Sequence, residues 1–312
     1  GMIPKTFLYL LGLFSLLYQL TLSDSYDTQF DILNPPVNSS NFVSYFAICA
    51  VMKNEREDDV REWINYHYKM GTGKFYLHDN GNIPLAPMVK DWIEKGIVSV
   101  EERKDKAPQL SVYQLCLRNY RQWHQFIAFI DADEYIVTKN GCSIPSILKR
   151  YEPYGGLTLN WMVFGSSGHL TRPEGGILKN YWSCYMYEHV KSIVNTNYGV
   201  SHFGNPHVFH YSHGKFSVDA EFFKVETPVN LPRPSLYDNI YLNHYHLKSK
   251  EDYDRNRKRG RASTTDPSQK NEEYFWKINE RCNRNCSILK PPETMAPHCP
   301  LETFTNRPIS LD

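Results

Sequence analysis

The chain has 312 residues, which is enough for one large α/β domain with an elaborated second half or for two closely packed lobes. Its 35 basic and 34 acidic residues nearly cancel, so the overall charge gives no reason to expect nucleic acid or anionic lipid as a partner. Aromatic residues make up 14% of the chain, a content that suits stacking on bases and sugar rings but that a large core would also use.

Residues 1–22 form a hydrophobic, signal-like segment. No charged residue occurs from Phe7 to Leu22, and Lys5 precedes this run. The length approaches the ~20 residues of a membrane span, so a signal-anchor is the preferred interpretation, and membrane association is expected. A cleaved signal peptide and a helix packed on the domain are the alternatives. Residues 23–43 resemble a stem or linker.

Strand and helix patterns alternate from residue 44 onwards. The predicted strands are 45–51, 74–78 and 97–100, and the predicted helices are 55–70, 85–94 and 110–123. Asn54 is expected to be the N-cap of the first helix. The buried face of that helix is predicted to contain Val60, Trp63, Ile64, His67 and Tyr68. The alternation predicts an α/β fold with a doubly wound, mainly parallel sheet.

The most informative stretch is an apolar strand that ends in acidic residues. Residues 126–130 are apolar and read as a central parallel strand, and Asp131 and Asp133 follow directly. Open α/β sheets bind ligands at the carboxyl ends of their strands. Carboxylates there suit a hard divalent cation that keeps substrate phosphate oxygens as its other ligands. The pattern therefore favours a metal–diphosphate site over a solvated strand end.

Two further polar clusters follow predicted strands. Lys53, Asn54 and Glu55 come after the first strand, and Asp79 and Asn80 come after the second. Because parallel strands end at the same edge of a sheet, these clusters are expected to share a crevice with the acidic residues.

The seven cysteines leave several alternatives open. Cys49 and Cys116 lie in apolar patterns and are predicted to be buried thiols. Cys282, Cys286 and Cys299 lie in the C-terminal extension, residues 266–312, where a disulfide, a zinc knuckle and free thiols are the alternatives. The irregular spacing disfavours the zinc knuckle.

Several blocks in order resemble glycosyltransferase family 92. The first blocks are Ala47-Ile48-Cys49-Ala50-Val51-Met52-Lys53-Asn54-Glu55, then Glu62-Trp63-Ile64, then Phe75-Tyr76-Leu77-His78-Asp79-Asn80. Phe129-Ile130-Asp131-Ala132-Asp133-Glu134-Tyr135-Ile136 is similar to the metal motif of that family. Later blocks are Asn160-Trp161-Met162-Val163-Phe164, Lys191-Ser192-Ile193-Val194, Asn243-His244-Tyr245 and Arg259-Gly260. The likeness predicts a glycosyltransferase domain over residues 44–265.

The resemblance implies a GT-A fold and transfer of a sugar, with inversion, from a UDP-sugar donor to a glycan acceptor. Galactose is the favoured sugar, with xylose or another sugar as an alternative. The expected cofactor is Mn²⁺ (or Mg²⁺). The donor-binding residues are expected to be Val51, Lys53, Asn54, Glu55, Asp79, Asn80, Asp131, Ala132, Asp133, Lys248 and Arg259.

The metal ligands implied by the resemblance are Asp131, Asp133 and a histidine from the C-terminal part. His244 is the preferred histidine, with His246 next to it. If residues 241–247 form a strand, these two rings project on opposite sides.

Inversion needs a general base near the acceptor hydroxyl. Asp219 is favoured slightly over Glu221 and Glu174, and each of these carboxylates is alternatively a turn cap. Trp161 and Phe164 are the expected acceptor platform, with core packing as the alternative. The cluster of His202, His207, His210 and His213 lacks regular ligand spacing and is interpreted as polar groups of a pocket rather than a second metal site.

Two other classes stay open beside the transferase. One is a carbohydrate- or nucleotide-binding pseudoenzyme. The intact pair of Asp131 and Asp133 disfavours this alternative. The other is a nucleic-acid-binding protein that uses the basic run 255–261, which the near-zero net charge disfavours, so no nucleic-acid partner is expected. If the source is eukaryotic, a Golgi or secretory-pathway membrane protein with a lumenal domain is expected. Otherwise the protein is expected to be membrane-associated or soluble in the cytoplasm.

Overall fold

One β-sheet of eleven strands runs through the described part of the chain. The computed structural model describes residues 42–138, 141–202, 205–260 and 271–287. The hydrophobic segment 1–22 and nearly all of the predicted stem lie outside these ranges. Within them, no helix combines the length and apolar character that a membrane crossing requires.

The strands are β1 (Ser44–Met52), β2 (Lys74–Asp79), β3 (Val98–Glu102), β4 (His124–Phe129), β5 (Glu134–Thr138), β6 (Gly156–Phe164), β7 (Ser183–Asn195), β8 (Val200–His202), β9 (Phe209–Tyr211), β10 (Ser217–Val218), β11 (Lys224–Val225), β12 (Ile240–His244) and β13 (Arg284–Asn285). The α-helices are α1 (Glu57–Lys69), α2 (Lys90–Glu94), α3 (Gln109–Tyr120), α4 (Ile144–Leu148), α5 (Ile177–Asn180), α6 (Lys250–Arg259) and α7 (Glu272–Arg281).

The first half of the sheet is parallel, in the order β3-β2-β1-β4. Alternate residues of β1 enter two different cores, because side chains of a strand alternate between the faces of its sheet. Ile48 packs in the cluster that contains Trp63 of α1, whereas Cys49 packs in the cluster that contains Val112 of α3. Helices therefore cover both faces, which confirms the predicted doubly wound α/β fold.

The second half of the sheet is mixed. Strand β7 runs antiparallel to both β4 and β6, and β12 runs parallel to β6 and antiparallel to β5. In the β5–β12 pair, His244 lies opposite Glu134. This register brings the end of β12 to the acidic loop that follows β4.

The first helix differs in detail from its prediction. It begins at Glu57 with Arg56 as the N-cap, so the predicted cap at Asn54 is wrong. Asn54 has a φ of 51° and its side-chain oxygen accepts hydrogen bonds from the backbone N–H groups of Asn82 and Ile83. The amide therefore fixes the loop after β2 instead of the start of α1.

The buried face of α1 contains Val60, Trp63, Ile64 and His67, as predicted, and differs from the prediction at one residue. Tyr66 is buried, whereas Tyr68 is 44% exposed, so the assignment of Tyr68 to the buried face is wrong. The Tyr66 hydroxyl donates to the backbone oxygen of Ile136, which anchors the helix to β5.

Disulfide bonds correct the prediction of buried thiols. Cys49 of β1 is bonded to Cys116 of α3, and Cys142 is also disulfide-bonded. The two sulfur atoms face each other because β1 and α3 pack directly, a proximity that apolar pattern alone does not reveal.

A second described disulfide ties the C-terminal part to the sheet. Cys286 is bonded to Cys184 at the start of β7, and β13 pairs with the same strand. Cys282 is reduced and buried. A zinc knuckle through Cys286 is therefore not formed, and Cys299 lies outside the described residues.

Removing the Cys49–Cys116 bridge is expected to destabilise the domain. The bond joins residues 67 positions apart, so its loss restores conformational freedom to the unfolded chain. The double variant Cys49→Ala/Cys116→Ala should lose about 2–5 kcal/mol in the free energy of unfolding, measured by urea titration without reductant.

The matched control is Cys282→Ala, which removes a buried sulfur but no cross-link. The free energy of unfolding of this variant should fall by about 1 kcal/mol. Equal losses in the two variants would contradict a stabilising role for the bridge.

Candidate active site

A cavity of about 610 Å³ opens where the carboxyl ends of β1 and β4 meet the second half of the sheet. Its lining is Val51, Lys53, Glu55, Gln109, Asp131, Ala132, Asp133, Trp161, Tyr187, His189, Lys191, Pro206, His207, His244, His246, Asn256, Arg259, Gly260 and Tyr274. The cavity combines carboxylates, histidines and cations with aromatic rings.

Nine of the residues predicted from sequence are brought together in this lining. They are Val51, Lys53, Glu55, Asp131, Ala132, Asp133, Trp161, His244 and Arg259. Seven others lie elsewhere, namely Asn54, Asp79, Asn80, Phe164, Glu174, Asp219 and Lys248.

Asp79 and Asn80 hold the loop after β2 in place. The Asp79 carboxylate accepts hydrogen bonds from the backbone N–H groups of Gly81 and Leu85, at 2.9 and 2.8 Å. The Asn80 side chain donates to the backbone oxygens of Arg103 and Asp105. The strand end is polar, as predicted, but its polar atoms form hydrogen bonds with the backbone of neighbouring loops.

The Asp219 carboxylate is fully buried outside the cavity. One oxygen accepts from Arg233 Nη2 at 2.6 Å and from Asn230, and the other accepts from the backbone N–H groups of Glu221 and Phe223. This is the turn-capping role that sequence analysis held as the alternative. The structure does not bring this carboxylate to the place where an acceptor hydroxyl would lie.

Three other predicted residues lie outside the lining for distinct reasons. Glu174 is exposed on the loop before α5. Phe164 is fully buried with its ring 4.5 Å from that of Tyr245, so it packs in the core. Lys248 is buried and its Nζ lies 2.8 Å from the Asp59 carboxylate, so its charge is already paired.

The first acidic residue of the motif is held in a network of partners. Asp131 Oδ1 accepts from Gln109 Nε2 at 2.6 Å, and Oδ2 lies 3.0 Å from Lys191 Nζ. Lys191 Nζ also lies 3.6 Å from Glu134 Oε2, which accepts from the backbone N–H of Asp131 at 2.8 Å. Both Asp131 oxygens are therefore engaged by protein donors.

Burial and charge shift the pKa values of this network in opposite directions. Burial raises the pKa of Glu134 to about 7, although the Lys191 charge opposes the shift. Burial alone would lower the pKa of Lys191, but the charges of Asp131 and Glu134 outweigh it and raise that pKa. The lysine is thus held as a cation inside the protein.

The second acidic residue faces a histidine. Asp133 Oδ1 lies 3.5 Å from His244 Nε2, and the Nδ1 atom on the other side of that ring lies 4.0 Å from Glu134 Oε1. Burial alone would raise the pKa of Asp133 and lower that of His244, but their attraction outweighs burial and reverses both shifts.

His246 lies on the same side of the chain as His244. Its Nδ1 is 3.4 Å from His244 Nε2, and both rings line the cavity. The expectation that they project on opposite sides is wrong, because β12 ends at His244 and the strand alternation stops there.

The donor set fits a divalent cation held by Asp133 and His244. A separation of 3.5 Å between Asp133 Oδ1 and His244 Nε2 is compatible with two ligands that share one ion at about 2.1 Å each. Glu134 Oε1 lies on the other side of the imidazole, 4.0 Å from His244 Nδ1, which is too far for a hydrogen bond. Asp131 fits less well, since Lys191 and Gln109 occupy its oxygens.

Sequence analysis missed the contribution of β7 to the cavity. Tyr187, His189 and Lys191 recur at every second position and all line the cavity. This spacing on one strand is a signal that could have identified them. Gln109 was also missed, and nothing in its sequence context marks it.

The basic run divides into bound and solvated residues. Arg259 pairs with Glu55 at 2.6 Å between Nη1 and Oε1, and Arg255 Nη2 donates to the backbone oxygen of Asn54 at 2.7 Å. Arg257 and Lys258 are exposed on α6, and Arg261 lies outside the described residues. The run is therefore partly a wall of the cavity and partly a solvated face.

Comparison with known proteins identifies the family of the chain. The profile described as Glycosyltransferase family 92 matches residues 44–286, more than half of the chain and beyond the predicted domain end at 265. The chain therefore belongs to glycosyltransferase family 92.

The relatives share only part of their length with this chain. Galactan beta-1,4-galactosyltransferase GALS3 of Arabidopsis thaliana is 27% identical over 148 residues, which cover 44% of this chain and 29% of that protein. For GALS2 of the same plant, the identity is 32% over 118 residues, covering 34% and 23%. The chain thus spans less than a third of the length of these relatives.

Solved structures of lower similarity also match. Staphylococcus aureus TarS 1-349 in complex with UDP has a TM-score of 0.33 and 14% identity, and the match covers 49% of this chain and 47% of that one.

Removing the buried lysine should destabilise the domain strongly. In Lys191→Met, Asp131 and Glu134 lose their shared cation and two carboxylates remain close together inside the protein. The free energy of unfolding should fall by about 3–5 kcal/mol, measured by urea titration at neutral pH.

Lys224→Met is the control, because Lys224 pairs with Glu226 on the surface. Exposed pairs contribute little, so this variant should unfold at nearly the wild-type urea concentration. If Lys191→Met did the same, the proposed charge compensation would be refuted.

Proposed function

We propose that this protein is an inverting, metal-dependent galactosyltransferase that transfers galactose from UDP-galactose to a hydroxyl group of a glycan. The observation that carries the proposal is the convergence of Asp133 and His244 in a cavity of the family fold. The GALS relatives are named galactan beta-1,4-galactosyltransferases, which supports galactose as the sugar.

The donor is proposed to lie along the carboxyl ends of β1 and β4. Val51 and Lys53 line the cavity at the first of these strands, and Asp131 and Asp133 line it at the second. Open α/β sheets bind nucleotides at this edge, which supports placing the nucleoside there. Lys53 and Arg259 supply positive charge for the diphosphate.

Asp133 and His244 would hold a Mn²⁺ or Mg²⁺ ion. When bound, such an ion neutralises the charge that builds on the diphosphate as the glycosidic bond breaks. Asp131, whose oxygens are engaged by Lys191 and Gln109, is proposed to orient the donor and to keep the acidic loop in position.

The acceptor is proposed to enter against Trp161. That ring lies 4.3 Å from the His244 ring, so a sugar stacked on the indole lies next to the proposed metal position. Inversion follows if the acceptor hydroxyl attacks the anomeric carbon from the side opposite the diphosphate.

The secretory pathway is the proposed location. Disulfide bonds persist mainly in oxidising compartments, and Cys49–Cys116 and Cys184–Cys286 are both formed. Anchoring through residues 1–22 is part of this proposal.

The first experiment measures the melting temperature with UDP, GDP, UDP-galactose and UDP-xylose, each with and without Mn²⁺. A ligand that binds the folded state raises that temperature by mass action. Manganese-dependent stabilisation by UDP and UDP-galactose, followed by transfer to a galacto-oligosaccharide, is expected. Absence of any shift would refute the proposed donor class.

Asp133→Asn should reduce transfer about 100-fold or more while the fold stays intact. The amide keeps the size of the carboxylate but loses the charge that would bind the cation. The variant should also lose the manganese-dependent part of the stabilisation by UDP.

Glu174→Gln is the matched control, because Glu174 is exposed outside the cavity. It should transfer sugar at nearly the wild-type rate. Wild-type activity in Asp133→Asn would exclude Asp133 as a metal ligand.

A further inference from the structure

The cavity lacks the general base that the sequence suggested, since neither Asp219 nor Glu174 lines it. The carboxylates that do line it are engaged in the described structure. Glu55 pairs with Arg259, Asp131 pairs with Lys191, and Asp133 faces His244. A group that accepts the proton of an acceptor hydroxyl must therefore be sought among the other lining residues.

We propose that His207 is the general base of the transfer reaction, an inference that rests on the proposed function. Its ring lines the cavity, and three hydrogen bonds fix the residue. The backbone N–H donates to Asn205 Oδ1 at 2.9 Å, the backbone oxygen accepts from Ser192 Oγ at 2.6 Å, and Nδ1 lies 2.7 Å from the backbone oxygen of Val190.

The contact with Val190 sets the tautomer of His207. A carbonyl oxygen only accepts, so Nδ1 carries the hydrogen and donates it. In the neutral ring, Nε2 then carries the lone pair. This is the arrangement in which a histidine accepts a proton from a substrate, with one nitrogen anchored and the other available.

The surroundings keep His207 neutral. Burial, assisted by the positive charge of Lys191, lowers the pKa of His207 to about 4, while Asp131 opposes the shift. The ring is therefore unprotonated at neutral pH and able to accept a proton. A base of this strength is comparable to an aspartate or glutamate, whose ordinary pKa is about 4.

Three aromatic rings beside His207 form a surface that suits a sugar ring. The planes of Trp161, Tyr187 and His189 lie within 17–25° of one another, and their centroids are 4.9, 5.4 and 6.1 Å apart. Near-parallel rings with centroids this close must overlap in part, so the three rings are offset-stacked rather than aligned in one column. This group of rings, the platform, lines one wall of the cavity and presents ring carbons to the C–H groups of a pyranose.

His207 stands across this platform. Its ring makes angles of 65° with Trp161 and 83° with His189, at centroid distances of 5.7 and 5.5 Å. All of these rings border the same cavity. A sugar that lies on the platform inside the cavity thus has His207 at its side and His244 close to Trp161.

The acceptor O–H bond breaks and its proton passes to Nε2 of His207, while the acceptor oxygen forms a bond to the anomeric carbon. The bond from that carbon to the diphosphate oxygen breaks, and its electron pair leaves with UDP. His207 then releases the proton to water, and the ring returns to its starting state.

The test compares His207→Asn with wild type in transfer from UDP-galactose to a galacto-oligosaccharide. The Asn side-chain amide retains a donor for the Val190 carbonyl but has no basic nitrogen. We expect kcat to fall at least 100-fold, while manganese-dependent stabilisation by UDP is unchanged. His210→Gln is the control, because His210 is exposed outside the cavity lining, and it should retain wild-type kcat.

A structural role is separated by chemical rescue. In His207→Ala, added imidazole should raise kcat at least tenfold, whereas it should leave kcat of wild type and of His210→Gln unchanged. A fall in kcat below threefold in His207→Asn would overturn the assignment.

The His189→Asn variant tests whether His189 binds the acceptor or acts as the general base. Loss of the platform ring should raise the acceptor KM more than it lowers kcat. A 100-fold loss of kcat rescued by imidazole in the corresponding His189→Ala variant would assign the base to His189 and overturn the role of His207. Wild-type protein that neither binds UDP nor transfers sugar would instead refute the proposed function itself.

Discussion

The buried ammonium group of Lys191 is the constraint on which the arrangement of the site depends. It lies between the carboxylates of Asp131 and Glu134 and joins β7 to the loop between β4 and β5. Two carboxylates so close together inside a protein repel each other and are poorly solvated, so a shared cation is needed to keep the loop in this form. With Asp131 fixed in this way, Asp133 is left to face the cavity.

Strand pairing completes the site from the other side. Strand β5 begins directly after the acidic loop and pairs with β12. This pairing places His244 opposite Glu134. His244 and the acidic motif are more than a hundred residues apart in the chain, yet backbone hydrogen bonds between two short strands set their separation. One oxygen of Glu134 therefore faces Lys191, and the other faces His244.

The second half of the sheet supplies an aromatic wall to an otherwise polar cavity. Strand β7 presents Tyr187, His189 and Lys191 in sequence, so the wall changes along one strand from ring surfaces to a buried cation. Acidic residues that lie near this region in sequence, such as Asp219, are used to fix turns. The chain thus separates the carboxylates that hold its loops from the histidines that face the proposed acceptor.

The sequence by itself determined the α/β fold, the first four strands and the acidic motif. These features depend on apolar runs, helical spacing and polar strand ends. Such patterns involve residues that are close together in the chain, so they do not require knowledge of distant contacts. Only the tertiary structure decided which polar residues reach the cavity. Asp79 and Asp219 carry the same carboxylate group as Asp133, but their oxygens accept hydrogen bonds from backbone N–H groups. The disulfide partner of Cys49 and the position of Lys191 likewise depend on pairings between distant segments, which no local pattern encodes.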